Sequence, residues 1–181
     1  ETDPFGQIAA GALSAAEQAA CRGARVPTLE EALVFTRDAG WRMNLELKVL
    51  PPPLQGFPVV ERVLAVVDRL GLTPETILFS SFHHPWLAEL RARRPEFAVQ
   101  ALIGEHRDRP LDWGRLEFGT YNVRHSLIAP EEVRRRAAAG LAINLFTVNA
   151  GADLRRFLDA GAAGLITDFP QRLAALGVRR S

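Results

Sequence analysis

Residues 42–49 read R-M-N-L-E-L-K-V, and the fold turns on how that run is taken. As a β-strand, its two-residue period puts Asn44, Glu46 and Lys48 on one face and Leu45, Leu47 and Val49 on the other. A surface strand shows such alternation, but here a proline-rich break and a strongly helical segment follow, which suggests a parallel strand feeding a helix. Strands of that kind are ordinarily apolar on both faces, because helices and core side chains cover them. A carboxylate and an ammonium two residues apart near the C-terminal end are costly unless they face a polar centre. In one reading Glu46 binds a cation while Lys48 meets an anion. The other is a solvated edge strand or an ion pair inside a barrel, and the spacing leaves both open.

The 181 residues are enough to bury a real core, and they predict a single domain over 1–181. With 24% charged and 48% apolar residues the chain is an ordinary globular one. A net charge of +1, from 22 basic and 21 acidic residues, gives no sign of a nucleic-acid or membrane partner. Arginine supplies nearly all the positive charge, and lysine is all but absent apart from Lys48. A single cysteine, Cys21, excludes an internal disulfide framework and a cysteine-clustered zinc site. No run is long enough to span a bilayer and the first residues do not form a signal peptide, so a cytoplasmic setting is expected.

Residues 1–25 read as a long loop or short helical insertion, with at best a helix over 14–20. Thr28 and Glu31 form a capping box for the next helix, which Gly40 ends. After the strand over 42–49, three prolines and Gly56 make an irregular loop, and a Val-rich stripe from Val59 to Leu70 makes a helix. The alternation then recurs, with strands over 76–82, 97–103, 116–121, 141–148 and 164–167. Helices are expected from Pro85 to Arg93, from Pro130 to Gly140, over 153–160 and over 170–176. Such alternation calls for βα units with right-handed crossovers, and six strands are counted.

Six parallel strands also suit an open doubly wound sheet. Polar residues, however, gather at or just past the strand ends: Glu46 and Lys48, Ser80 to His84, Asn122, Thr147 and Asn149, Thr167 and Asp168. Barrels bring those ends to one face, where their active sites lie. No G-x-G-x-x-G or Walker sequence follows a strand, which removes the best support for a nucleotide-binding sheet.

Five pieces in order over about 150 residues carry a family resemblance: V-P-T-L-E-E from Val26, N-L-E-L-K from Asn44, I-L-F-S-S-F from Ile77, F-T-V-N from Phe146 and G-L-I-T-D-F-P from Gly164. The chain resembles the C-terminal three quarters of the glycerophosphodiester phosphodiesterase family. The resemblance implies a TIM (β/α)8 barrel, here incomplete, with about six βα units and the first two missing. It implies a divalent metal, Mg²⁺ or Ca²⁺, with Glu46 as a ligand, and Lys48 as a catalytic basic group near the substrate phosphate. It makes Phe82 and Phe146 cleft-lining, and Phe146 stands where the family usually has tryptophan. Asp168 is implied to be structural, positioning the last loop, and Ala163 replaces a common aspartate.

The family's His-Arg pair, Glu-x-Asp metal pair and second catalytic histidine have no counterpart in this sequence. The expectation is therefore a piece of a longer enzyme that hydrolyses glycerophosphodiesters to an alcohol and sn-glycerol 3-phosphate. This chain alone is expected to be inactive unless the missing N-terminal segment or a symmetry-related chain completes it. The rival readings are a truncated, inactive barrel-like binding protein and another phosphate-handling barrel, the latter lacking a glycine-rich phosphate loop. Among the remaining candidates, Asn122 and His84 sit at strand ends within reach of substrate, although His84 also suits a helix flank. His125 is a weaker candidate, and His106 reads as solvated. Trp86 and Trp113 read as packing residues, and four scattered histidines do not make a zinc site.

Overall fold

The computed structural model describes residues 14–174 and residue 176. Ser14 and Thr28 each cap a helix, accepting the backbone N–H of a glutamate whose carboxylate reaches back to the cap; these begin α1 (Ala15–Ala20) and α2 (Leu29–Asp38). The Thr28 N–H and hydroxyl together hold the Glu31 carboxyl below its ordinary value. α1 buries no side chain. The first thirteen residues of the expected loop or insertion over 1–25 lie outside the described residues.

The six strands are β1 (Met43–Leu47), β2 (Ile77–Ser81), β3 (Val99–Ile103), β4 (Thr120–Arg124), β5 (Ala142–Phe146) and β6 (Gly164–Leu165). They pair in parallel and in chain order. Between and after them run α3 (Val59–Arg69), α4 (His84–Arg93), α5 (Pro130–Ala138), α6 (Gly151–Asp159) and α7 (Pro170–Ala174).

The sheet is curled. Phe82, just past β2, and Phe146, at the end of β5, have ring centroids 6.1 Å apart. Three strand spacings of roughly 4.8 Å would hold them about 14 Å apart in a flat sheet. Asn144 Nδ2 on β5 likewise reaches Gln100 Oε1 on β3, at 3.4 Å, across the intervening strand. The result is an α/β half-barrel, consistent with a TIM-like fold.

Alternate residues face outward and inward. Leu47, Ile77, Phe79, Ala101, Ile103, Tyr121, Val123, Ile143 and Leu145 point to the helices and are buried. They meet Val60, Val63 and Val67 of α3, Leu87 and Leu90 of α4, Val133 of α5, and Leu154 and Phe157 of α6 in one core. The concave face carries Glu46 opposite Ser80, Ser80 opposite Gln100, and Asn122 opposite Asn144, which in turn lies opposite Gly164.

Three details differ from the sequence-based expectations. The strand expected over 116–121 lies at Thr120–Arg124, because pairing of Tyr121 with Ala101 and Ile143 puts Tyr121 and Val123 into the core. No helix follows β3: residues 104–119 run as an irregular loop, so the count of six βα units falls by one. That loop is fastened by Trp113, whose ring lies 5.0 Å from Tyr121 and 3.9 Å from the Arg136 guanidinium. Finally, β1 stops at Leu47, which leaves Lys48 in the loop beyond it.

Candidate active site

The C-terminal ends of the strands form the rim of the half-barrel. Glu46 faces the concave side near the end of β1, and its Oε1 accepts from Lys48 Nζ at 2.7 Å. The Lys48 side chain is 74% exposed and that of Glu46 32%. An ion pair so open to water is worth about 1 kcal/mol or less. The pair therefore fixes the Lys48 ammonium only weakly. The rim beside it is pinned by Ser81, which donates to the Leu47 carbonyl at 2.7 Å and accepts from the His83 N–H at 2.9 Å. One hydroxyl thus ties β1 to the turn that opens α4.

Phe82 and Phe146 meet edge to face across the mouth. Over Phe146 lies the Arg124 guanidinium, 5.1 Å from the ring centre. Arg124 Nε donates to the Gly104 carbonyl, and Nη2 donates to the Glu105 carbonyl at 3.1 Å. Burial, and then the nearby Arg107 charge, push the Arg124 guanidinium below its ordinary value. The adjoining His125 contacts the Phe146 carbonyl through Nδ1 at 3.2 Å.

Asn122 is fully buried one layer below the rim, where its Oδ1 accepts from Asn144 Nδ2 at 2.8 Å. The Asn122 amide nitrogen and the buried Ser80 hydroxyl meet no partner among the described residues. His84 contacts the Leu102 carbonyl through Nε2 at 3.0 Å and packs edge-on to Phe118. It also borders a cleft of about 550 Å³ between the start of α4 and the loop after β3, where Phe82, His83, Arg109 and Arg115 contribute to the walls. His106 is exposed. Asp168 makes a reciprocal clamp with Asn149, whose Nδ2 donates to Asp168 Oδ2 at 2.8 Å while Asn149 Oδ1 accepts the Asp168 N–H at 3.0 Å.

Glu46, Lys48, Phe82 and Phe146 thus stand on one rim, and Asn122 lies beneath it. The sequence reading missed Arg124. Its signal was the period-two continuation from Asn122, hidden by placing the strand too early.

A divalent cation in an oxygen site takes about six ligands. Among the described residues no three His, Cys, Asp or Glu side chains converge, and the neighbour of Glu46 is an ammonium and not a second carboxylate. The described residues therefore do not make a metal site by themselves.

Residues 6–172 match the family model described as the glycerophosphoryl diester phosphodiesterase family. The chain belongs to that family. The YqiK protein of Bacillus subtilis strain 168 is 30% identical over 157 residues, covering 84% of this chain and 63% of its own length. The glycerophosphodiester phosphodiesterase of Caldanaerobacter subterraneus subsp. tengcongensis is 27% identical over 158 residues, covering 85% and 63%. The chain therefore spans less than two thirds of these curated relatives. A glycerophosphoryl diester phosphodiesterase structure from Silicibacter pomeroyi superposes with a TM-score of 0.70 at 26% identity, over 85% of this chain and 58% of that one. The parallel half-barrel is the phosphodiesterase family's fold over the matched part.

Proposed function

We propose that the protein hydrolyses glycerophosphodiesters to an alcohol and sn-glycerol 3-phosphate, with the scissile phosphate received at the rim between Lys48 and the Phe82–Phe146 pair. The observation that carries this reading is the Glu46–Lys48 pair on the concave face at the end of β1. Lys48 offsets phosphate charge as a mobile point cation. Phe82 and Phe146 wall the carbon skeleton, and His84 borders the cleft that continues from Phe82. Asn122 acts from below, holding Asn144 and with it the floor of the rim. Divalent-metal dependence, on Mg²⁺ or Ca²⁺, belongs to the same proposal. Glu46 would give one oxygen ligand, and the others would come from outside the described residues.

Replacing Glu46 by Gln in the protein at its natural length tests this reading. Hydrolysis of a glycerophosphodiester in the presence of Mg²⁺ or Ca²⁺ is expected to fall at least a hundredfold. Turnover unchanged by Glu46→Gln removes the assigned role. A cytoplasmic setting is part of the proposal and is checked by fractionating the activity. Among the described residues no helix is long and apolar enough to cross a membrane.

A second reading is favoured by one observation: the outer edge of β1 has no strand partner among the described residues. Next to the start of that edge, Pro27, Ala32, Phe35, Trp41 and Met43 line an open apolar groove, with Phe35 and Trp41 largely exposed. In this reading the described half-barrel is catalytically inactive until an N-terminal segment or a symmetry-related chain covers that edge. Hydrolysis by residues 1–181 alone argues against it.

A further inference from the structure

Among the described residues Arg124 meets no carboxylate. Two of its donors are taken by the Gly104 and Glu105 carbonyls, its face lies on Phe146, and the rest of the guanidinium fork has no partner among the described residues. The charge that acts on it most is another cation, Arg107. Two neighbouring guanidiniums leave local positive charge that an anion would neutralise.

Its place on the rim says where that anion belongs. Arg124 ends β4 and Lys48 follows β1, so β2 and β3 stand between the two cations along the rim. Between them lies the Phe82–Phe146 pair, with Arg124 stacked on its far side. Lys48 pairs with Glu46 and Arg124 with the Gly104 and Glu105 carbonyls, so the two cations are held as separate anion-binding groups. A diester whose phosphate sits by Lys48 and whose alcohol crosses the aromatic floor can present a second charge to Arg124.

We propose that Arg124 binds a negative charge on the alcohol side of the substrate, so that the protein prefers glycerophosphodiesters with an anionic head group. This rests on the phosphodiesterase reading above, and it adds a substrate class that the reading leaves open. Arg124 also holds two loop carbonyls, which makes a purely structural role the competing account.

The test compares kcat/KM of the natural-length protein for three glycerophosphodiesters, with a phosphorylated, a neutral and a quaternary-ammonium head group. The phosphorylated head group is expected to be preferred. Arg124→Gln is expected to lower its kcat/KM tenfold or more, as loss of a charge-assisted hydrogen bond does, and to change the other two less than twofold. Arg124→Lys keeps the charge and loses the fork, so it is expected to retain most of the preference. A uniform loss on all three substrates, or an unchanged preference in Arg124→Gln, overturns the proposal. A second measurement needs no turnover: calorimetric titration with inorganic phosphate, whose affinity is expected to weaken severalfold in Arg124→Gln. If none of the diesters is hydrolysed, the phosphodiesterase reading falls by itself. Weakened phosphate binding in the variant then still upholds an anion site at Arg124, and unchanged binding overturns it.

Discussion

The two faces of the sheet are built from alternate residues of the same six strands, yet they obey opposite rules. Outward, Ile77, Phe79, Val123, Ile143 and Leu145 are wholly buried against the helices. Inward, Glu46, Ser80, Gln100, Asn122 and Asn144 form a polar band, tied in part by the Asn144 amide, which donates to Asn122 on the next strand and to Gln100 two strands away. The outer face gains its free energy from removal of apolar area from water, at roughly 25 cal/mol per Å². The inner face gains little from burial and keeps hydrogen-bonding groups at positions where a ligand can meet them. One face makes the fold; the other holds the proposed site at its upper edge.

The largest test of this contrast is on the apolar side. Phe79 is fully buried in β2, edge-on to Phe97 at 5.6 Å. Phe79→Ala is expected to cost about 3–5 kcal/mol in urea unfolding, since the transfer loss is joined by a cavity that close-packed neighbours fill poorly. A cost below about 1 kcal/mol would mean that the outer face is not the stabilising one.

The outer face was also the legible one. Periodic Val and Leu from Val59 to Val67 and the apolar runs at Ile77 and Val99 announce helices and strands, because burial imposes its period directly on sequence. At the site, Glu46 and Lys48 stood out as charges in a strand that ought to be apolar. Much of the rest was hidden for a physical reason. The meeting of Phe82 with Phe146 depends on curl, which is a property of the whole sheet and not of either strand. The loop after β3 has Gly104, Pro110 and Gly114 but no periodicity, so tertiary anchors fix its course, among them Trp113 on Arg136, Arg124 on the Gly104 and Glu105 carbonyls, and His84 against Gly114. Arg124 was lost to a strand placed too early. Asn144 interrupts the apolar run of β5 and faces Gly164 on β6.

That pair gives the middle test. A Cβ on Gly164 would lie 2.6 Å from Asn144 Oδ1, and its three nearest heavy atoms all belong to Asn144. The backbone there has no left-handed φ, so the clash alone decides. Gly164→Ala is expected to turn the Asn144 amide aside and leave the Asn122 carbonyl buried without its donor, at about 1–3 kcal/mol. In an Asn144→Ala background the same substitution should cost almost nothing. A double-mutant cycle by urea unfolding reads the coupling, and additive effects would mean that the polar band is not joined through this pair.

The smallest stability effect is expected where the functional effect is large. Lys48 is 74% exposed, follows the end of β1, and touches Glu46 through a pair that water and salt screen. Lys48→Gln should therefore change unfolding free energy by no more than about 0.5 kcal/mol, the usual range for surface positions. The same variant is expected to weaken phosphate binding and slow diester hydrolysis, because its ammonium is the group proposed to meet the scissile phosphate. The two measurements must separate if the faces divide the work as argued. Were Lys48→Gln to cost several kcal/mol, the rim would be part of the scaffold, and the Glu46–Lys48 pair would be the barrel-interior ion pair that the sequence had left open.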